Sequence, residues 1–519
     1  VTFGKFLAPF IFEATATYID IPKQQNNTDM RCHPQQRSTS ISYIFDIEVI
    51  FMKNKSSLYR LAIYRLYMHK LSITALITVF TLSAVLSSCT DGKNQAQNTT
   101  QATTIASDTT GIEEPSDTSD SIHESSDITT TTEPKPTPRP TPELTLLPPV
   151  EEKPPNTSYE PASAGQTRAP GTITQAEYSV TIISEGLESP WAVTSLPDNR
   201  IVITEKAGFL RILSADGILS EPIGGFPAVD NRSQGGLLDV APAPDFLTSK
   251  LLYFTLAEAT DQGSLTAVGR GRLSNDESVI ENFEIIWRAI PYFDNSMHFG
   301  SRLVFDKDGY LFVTTGERSD LQTRPNAQLL ENGHGKVVRL TKEGKPAPNN
   351  PFAGVDGALP EIYTYGHRNV QGLAIEPITG QVWISEMGPR GGDELNLIEA
   401  GKNYGWPVIS YGIEYSGDPI PGALTAQEGM EQPVYYWDPS LAPSGMTFYT
   451  SDKIAEWQGN LFIGGLVSQH IARLILENGR VIAEERLLAN EGQRFRDIGE
   501  SSDGSLYAVT DGGRLYKIG

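Results

Sequence analysis

Gly372-Leu373-Ala374-Ile375, then Gly380-Gln381-Val382-Trp383-Ile384, then Glu394-Leu395-Asn396-Leu397-Ile398 make up one unit of a recurring pattern. Short runs of β-branched, aromatic and aliphatic residues separated by glycine-containing turns read as antiparallel strands. Such side chains suit a pleated surface, and glycine accepts the positive φ of a tight hairpin. Working outward, equivalent units include Trp191, Gly236, Arg302, Gly445 and Asp497, which with the first makes six between residues 176 and 519. Asp308-Gly309 and Asp503-Gly504 mark hairpins, and no long amphipathic helix interrupts the series. The expected fold is therefore all-β, a six-bladed β-propeller. A β-sandwich accommodates such repetition poorly. The longest insertions follow Val313 and Asn396, and in a propeller such loops emerge on one face and build a site there.

The rest of the 519 residues divides by composition. Residues 1–67 resemble no domain, and the chain opens on Val1, so Met68 is the expected initiator. Residues 68–89 read as a secretory leader: Met68-His69-Lys70 is basic, residues 71–86 are apolar but short for a membrane span, and Leu86-Ser87-Ser88-Cys89 follows. That ending resembles a bacterial lipobox, which implies an exported protein anchored to the membrane by lipid on Cys89. Residues 90–175 are rich in Ser, Thr, Pro and acidic residues and are read as a disordered tether, too poor in apolar surface to offset the entropy of ordering.

The only two cysteines, Cys32 and Cys89, precede the repeats, so neither a disulfide framework nor a cysteine metal site is available there. A formal charge of −22 argues against nucleic acid as a partner, because a phosphate-binding surface needs a basic footprint. No glycine loop after a parallel strand offers a nicotinamide site.

Motifs of polar chemistry are spread along the repeats. They are Gln234-Gly235-Gly236, His298-Phe299-Gly300-Ser301-Arg302, Gly366-His367-Arg368-Asn369-Val370-Gln371, Gly388-Pro389 with Asp393-Glu394-Leu395-Asn396, Tyr404-Gly405-Trp406-Pro407 and Arg494-Phe495-Arg496-Asp497. By residue type alone, a lone histidine in a β-protein is more often structural than catalytic, and an arginine on a strand is often a surface ion pair. Taken in order across a six-unit frame, however, residues 178–518 resemble the soluble glucose/sorbosone and aldose sugar dehydrogenases, which depend on pyrroloquinoline quinone (PQQ).

The resemblance implies roles that the side chains suit. Gln234, Arg368, Asn369, Tyr415, Arg494 and Arg496 match cofactor-binding positions, with backbone groups of Gly465 and Leu466 as further contacts. Guanidinium forks pair well with the three carboxylates of PQQ. His298 matches the base that removes the anomeric hydroxyl proton while hydride passes to the quinone, and Glu317 matches its acidic partner. Carbonyls of Gly388 and Pro389 match a calcium site against the quinone, while Glu394 and Tyr404 match a further calcium site. Relatives carry a lysine where Val467 stands here, and valine cannot pair a carboxylate. The implied activity is oxidation of aldoses to lactones, with electrons passed on to a quinone or a cytochrome. Two other readings are a non-catalytic propeller that binds carbohydrate or protein, and a calcium-dependent lactonase, which would leave the arginine cluster without a purpose.

Overall fold

A computed structural model describes residues 144–519; the leader, Cys89 and the first part of the expected tether lie outside the described residues. Six antiparallel sheets follow one another along the chain, in the order expected. The first strands of the six blades are Pro190–Ser195, Leu237–Pro242, Gly300–Phe305, Val370–Ile375, Pro443–Phe448 and Phe495–Glu500. Each packs on the first strands of the blades beside it, and the sixth meets the first, so these strands ring a central axis. Val180–Ser184 leaves the N-terminal side to pair antiparallel with Leu515–Ile518, completing the sixth sheet with a strand from the opposite end of the repeats. This pairing closes the ring through backbone hydrogen bonds and leaves no free seam.

The strands read as nearly unbroken apolar runs because both faces of each sheet are buried. In the second strand of blade 3, Leu311 and Val313 enter the core shared with blade 2, whereas Phe312 enters the core shared with blade 4. Leu461 and Ile463 in blade 5 likewise face blade 4, and Phe462 faces blade 6. Period-two alternation thus feeds two hydrophobic wedges from one strand. Hairpin chemistry follows the sequence: Asn478-Gly479 turns with both φ positive, +51° and +73°, between strands paired at Glu477 and Arg480.

At the axis one cation gathers several blades. Arg302, 3% exposed, places Nη1 at 2.9 Å from Asp497 Oδ2 and 3.3 Å from Asp239 Oδ1. Its Nε donates to the Gln371 carbonyl at 2.8 Å and its Nη2 to the Arg496 carbonyl at 3.0 Å. The guanidinium also lies 4.1 Å from the Trp191 ring centroid. Blades 1, 2, 3, 4 and 6 therefore share one side chain. Burial pushes the Asp239 and Asp497 carboxyls up, and Arg302 pulls both the other way.

The boundary expected at residue 175 is corrected: residues 144–175 do not behave as an unstructured tether. They form a strap on the outermost strands of blade 4 (Tyr435–Trp437) and blade 5 (Arg480–Leu487). Tyr436 N–H donates to the Gln166 carbonyl, Thr172 N–H to the Glu484 carbonyl, and Glu484 N–H to the Pro170 carbonyl. Ala169 joins the core between the two blades, and Trp457 Nε1 donates to Thr174 Oγ1 at 2.8 Å. Composition misjudged this segment because it measures apolar area alone. The exposed edges of two blades offer backbone donors and acceptors that a polar chain satisfies as well as an apolar one.

Replacing Arg302 by Met leaves two buried carboxylates without their shared cation. The expected loss is about 3–5 kcal/mol of stability, the cost of breaking a buried ion pair from one side, measured by urea unfolding at neutral pH.

Candidate active site

In an antiparallel blade the start of the first strand and the end of the second lie on the same side of the ring. Gln234, His298, Arg368, Ala442 and Arg494 all stand just before first strands, and Gly388, Leu466 and Val467 just after second strands. Regular blade geometry thus brings them to one mouth. They line a single cavity of about 500 Å³ together with Gln371, Pro389, Tyr415 and Arg496. Six cationic side chains line it (Lys153, Arg368, Arg390, Arg486, Arg494 and Arg496) against two carboxylates, Glu151 and Asp393. In a chain of net charge −22 this local excess of positive charge marks a site for an anion.

His298 is 5% exposed and holds φ +50°, a left-handed conformation that a non-glycine residue adopts only when its surroundings enforce it. Its N–H donates to Gln234 Oε1 at 2.8 Å, and its Nδ1 lies 2.7 Å from Glu317 Oε1. A carboxylate at Nδ1 selects the tautomer protonated there and leaves Nε2 with a lone pair. Gly316 makes the contact possible, since a Cβ there would sit 2.2 Å from the His298 carbonyl oxygen. The insertion carrying Glu317 is held by the buried Lys336, whose ammonium donates to the Asn326 and Ala327 carbonyls at 2.8 and 3.2 Å. Burial, then the charge of Arg368, pushes the His298 pKa down to about 4, with Glu317 pulling upward. The ring is therefore neutral at ordinary pH, as a proton acceptor must be.

Arg368 donates through Nη1 to the carbonyls of Met387 and Gly388, at 2.9 and 2.7 Å, and its buried Nε has no partner among the described residues. The Gly388-Pro389-Arg390-Gly391-Gly392 turn is tight enough that a Cβ on Gly388 would meet the Gly391 and Gly392 carbonyls at 2.4 Å. Asp393 Oδ1 accepts from Gly388 N–H at 2.8 Å and Oδ2 from Ala442 N–H at 2.6 Å. Burial raises the Asp393 pKa to about 7 despite those bonds. Across the cavity Arg494 and Arg496 share Asp511: Arg494 Nε reaches Oδ2 at 2.8 Å and Arg496 Nε reaches Oδ1 at 2.8 Å. Arg496 Nη1 also donates to Gln371 Oε1 at 2.9 Å.

Several expected contacts lie elsewhere. Asn369 is fully buried behind the wall, where its Oδ1 accepts from Gly300 N–H at 3.0 Å and steadies the strand after His298. Gly465 is likewise behind the wall, whereas its neighbour Leu466 lines it. Tyr415 stands at the mouth, 71% exposed. Glu394 and Tyr404 do not line the cavity. In a strand, neighbours face opposite ways, so with Asp393 on the cavity side Glu394 points towards Asn396 and Glu386. The Tyr404 ring stacks on His367 at 5.0 Å, and His367 Nδ1 lies 2.9 Å from Glu386 Oε1. Glu394 and Tyr404 thus do share a neighbourhood, centred on Glu386. Among the described residues no group of three or more His, Cys, Asp and Glu side chains converges as a metal would require.

Sequence reading missed Asp393, Gln371 and Asp511. The first two stood inside quoted motifs, where alternation along the strand was the unused signal. Asp511 lies 15 residues beyond Arg496, and only strand pairing reveals it.

A buried imidazole backed by a carboxylate, sharing one mouth with a set of arginines, defines the class as a six-bladed propeller with a cationic site on one face. The chain matches the glucose/sorbosone dehydrogenase model over residues 187–517 and belongs to that family. It is 45% identical over 357 residues to the aldose sugar dehydrogenase YliI of Escherichia coli, spanning 67% of this chain and 94% of that protein. The crystal structure of the soluble E. coli aldose sugar dehydrogenase in its apo form matches with a TM-score of 0.64 at 44% identity, covering 66% of this chain and 99% of that one. The PQQ-bound aldose sugar dehydrogenase of Streptomyces coelicolor matches with a TM-score of 0.55 at 27% identity, over 67% and 99% of the two chains.

Replacing Arg368 by Gln removes the charge that, after burial, most depresses the His298 pKa. The expected result is a His298 pKa moved upward from about 4 towards its usual value, read by NMR titration of labelled histidine. An unmoved or lowered value counts against this electrostatic coupling.

Proposed function

We propose that this chain is a PQQ- and calcium-dependent dehydrogenase that oxidises aldoses, or related hydroxylated compounds, at the anomeric carbon to lactones. The observation that carries this reading is the His298–Glu317 pair sharing one cavity with Arg368, Arg494 and Arg496. The cavity fits the cofactor's chemistry. Its excess of cations suits a tricarboxylate, and the unpartnered Nε of buried Arg368 is a donor still lacking an acceptor. Arg368, Arg494, Arg496 and Gln234 would hold the cofactor, with Leu466 against it. The Gly388 carbonyl has a second lone pair beyond its bond to Arg368, and Asp393 and Pro389 stand beside it, so hard oxygen donors for calcium are at hand. The further calcium expected at Glu394 and Tyr404 does not fit as well: Glu386 beside them is already engaged by His367 and by Arg368 N–H, and no third acidic or imidazole side chain converges there among the described residues.

When bound, the quinone supplies the acceptor for the hydride that leaves the sugar carbon, with calcium polarising it. His298 Nε2 accepts the proton of the anomeric hydroxyl. Glu317, held at Nδ1, keeps the ring oriented and stabilises the imidazolium that forms. The buried setting removes water that would otherwise solvate the carboxylate–imidazole pair. Cys89 would carry a lipid that holds the domain at the cell envelope, and a membrane quinone or cytochrome would receive the electrons.

Purified chain reconstituted with PQQ and calcium should reduce an artificial acceptor dye with aldoses, and a chelator should abolish the activity. His298→Ala should lower kcat about 10³-fold while the quinone stays bound. Retained turnover in that variant removes the base from His298, and absence of both binding and dye reduction favours a non-catalytic propeller. Cys89→Ser should shift the protein from the membrane to the soluble fraction on cell fractionation.

A further inference from the structure

The strap of residues 144–175 precedes the segment matched by the family model, residues 187–517, yet it forms part of the cavity wall. Glu151, Lys153 and Asn156 line the cavity, Glu151 against Arg486 and Asn156 against Arg390. This stretch is clamped from both sides. Arg168 Nη1 donates to the Glu151 carbonyl at 2.9 Å, and its Nη2 donates to the Lys153 and Asp438 carbonyls, each at 2.8 Å. Asp438, 4% exposed, accepts from Asn156 N–H at 2.9 Å and from Thr157 N–H at 3.0 Å. Arg390 Nε donates to Asn156 Oδ1 at 3.1 Å, and Lys153 N–H donates to Glu151 Oε1 at 2.8 Å. So many fixed backbone groups give Lys153 a defined position at the rim.

The charges on this wall have separate duties. Glu151 pairs with Arg486 at 2.7 Å. Arg494 and Arg496 share Asp511, and Arg368 is tied to two carbonyls. The Lys153 ammonium has no hydrogen bond or ion pair with any described residue, and Val467, 60% exposed, lines the same cavity. An unpaired cation at the rim of an already cationic cavity adds to the attraction for an entering anion.

We propose that the strap is a working wall of the active site, and that Lys153 binds a carboxylate of the molecule occupying the cavity. The inference rests on the proposed dehydrogenase function and extends it to a segment outside the family-matched domain. The carboxylate belongs either to the quinone or to an acidic sugar, and the two sources separate experimentally.

The test uses the full chain, carrying Lys153→Gln, Lys153→Arg, or Lys153→Gln combined with Val467→Lys. Lys153 is exposed and Val467 largely so, hence these changes spare the core. PQQ binding with calcium is followed by calorimetry, independently of turnover. If the cofactor carboxylate is the ligand, Lys153→Gln binds PQQ about tenfold more weakly and with reduced salt dependence. Lys153→Arg stays near wild type, and the added lysine at 467 restores much of the loss. If the substrate carboxylate is the ligand, PQQ affinity is unchanged, while KM rises about tenfold for glucuronate and stays constant for glucose. Unchanged PQQ affinity together with unchanged KM for both sugars overturns the role of the strap while leaving the dehydrogenase reading intact. A wild-type chain that binds no PQQ overturns that reading and this inference with it.

Discussion

The guanidinium of Arg302 is the constraint on which the active face depends. Five of six blades reach it, through Trp191, Asp239, its own strand, the Gln371 carbonyl and the pair of Asp497 and the Arg496 carbonyl. Because the group is planar with donors at fixed angles, it sets where those strands stand relative to one another. Two of its acceptors belong to residues whose side chains face the cavity. Arg302 grips Gln371 and Arg496 by their backbone, and above it Gln371 Oε1 accepts from Arg496 Nη1. Asp511 then takes both Arg496 and Arg494, so the cationic wall is oriented from the axis outward.

Electrostatics on the active face follow from burial against this background. An acidic chain concentrates arginines at one mouth, and one of them, Arg368, adds its charge to desolvation in pushing the His298 pKa down. Arg368 thus has two effects: it lines the cavity as a cation and it favours the uncharged imidazole of His298. Glu317 opposes it at Nδ1, which leaves the tautomer correct without charging the ring at rest. The positive φ of His298 shows that this placement costs backbone strain, held in check by Gln234 and by the close approach at Gly316.

The strap extends this logic beyond the repeats. Blade edges are exposed rows of donors and acceptors, and a polar segment settles on them without large apolar side chains. Clamped by Arg168 and Asp438, it adds a lysine to the cavity that Val467 also lines.

Much of this was legible in the chain itself. Apolar runs of strand length, punctuated by Asp-Gly and other glycine-containing turns, determined six blades, because hairpin chemistry and period-two burial are local properties. The motif residues Gln234, His298, Arg368, Gly388 and Arg496 were singled out by resemblance to a family, since by residue type alone each had an ordinary structural reading. Local information ended where partners are distant in sequence. Only the folded ring shows that Asp511 joins Arg494 to Arg496, that Asp393 rather than its neighbour Glu394 faces the cavity, and that Asn369 works from behind the wall. Only the tertiary structure decides that residues 144–175 are ordered, since the strand edges they pair with lie some 270 to 310 residues further along the chain. Strand alternation and turn preference act between neighbours. Ion pairing at the axis and edge capping act between segments far apart in the chain, and exist only once the blades have come together.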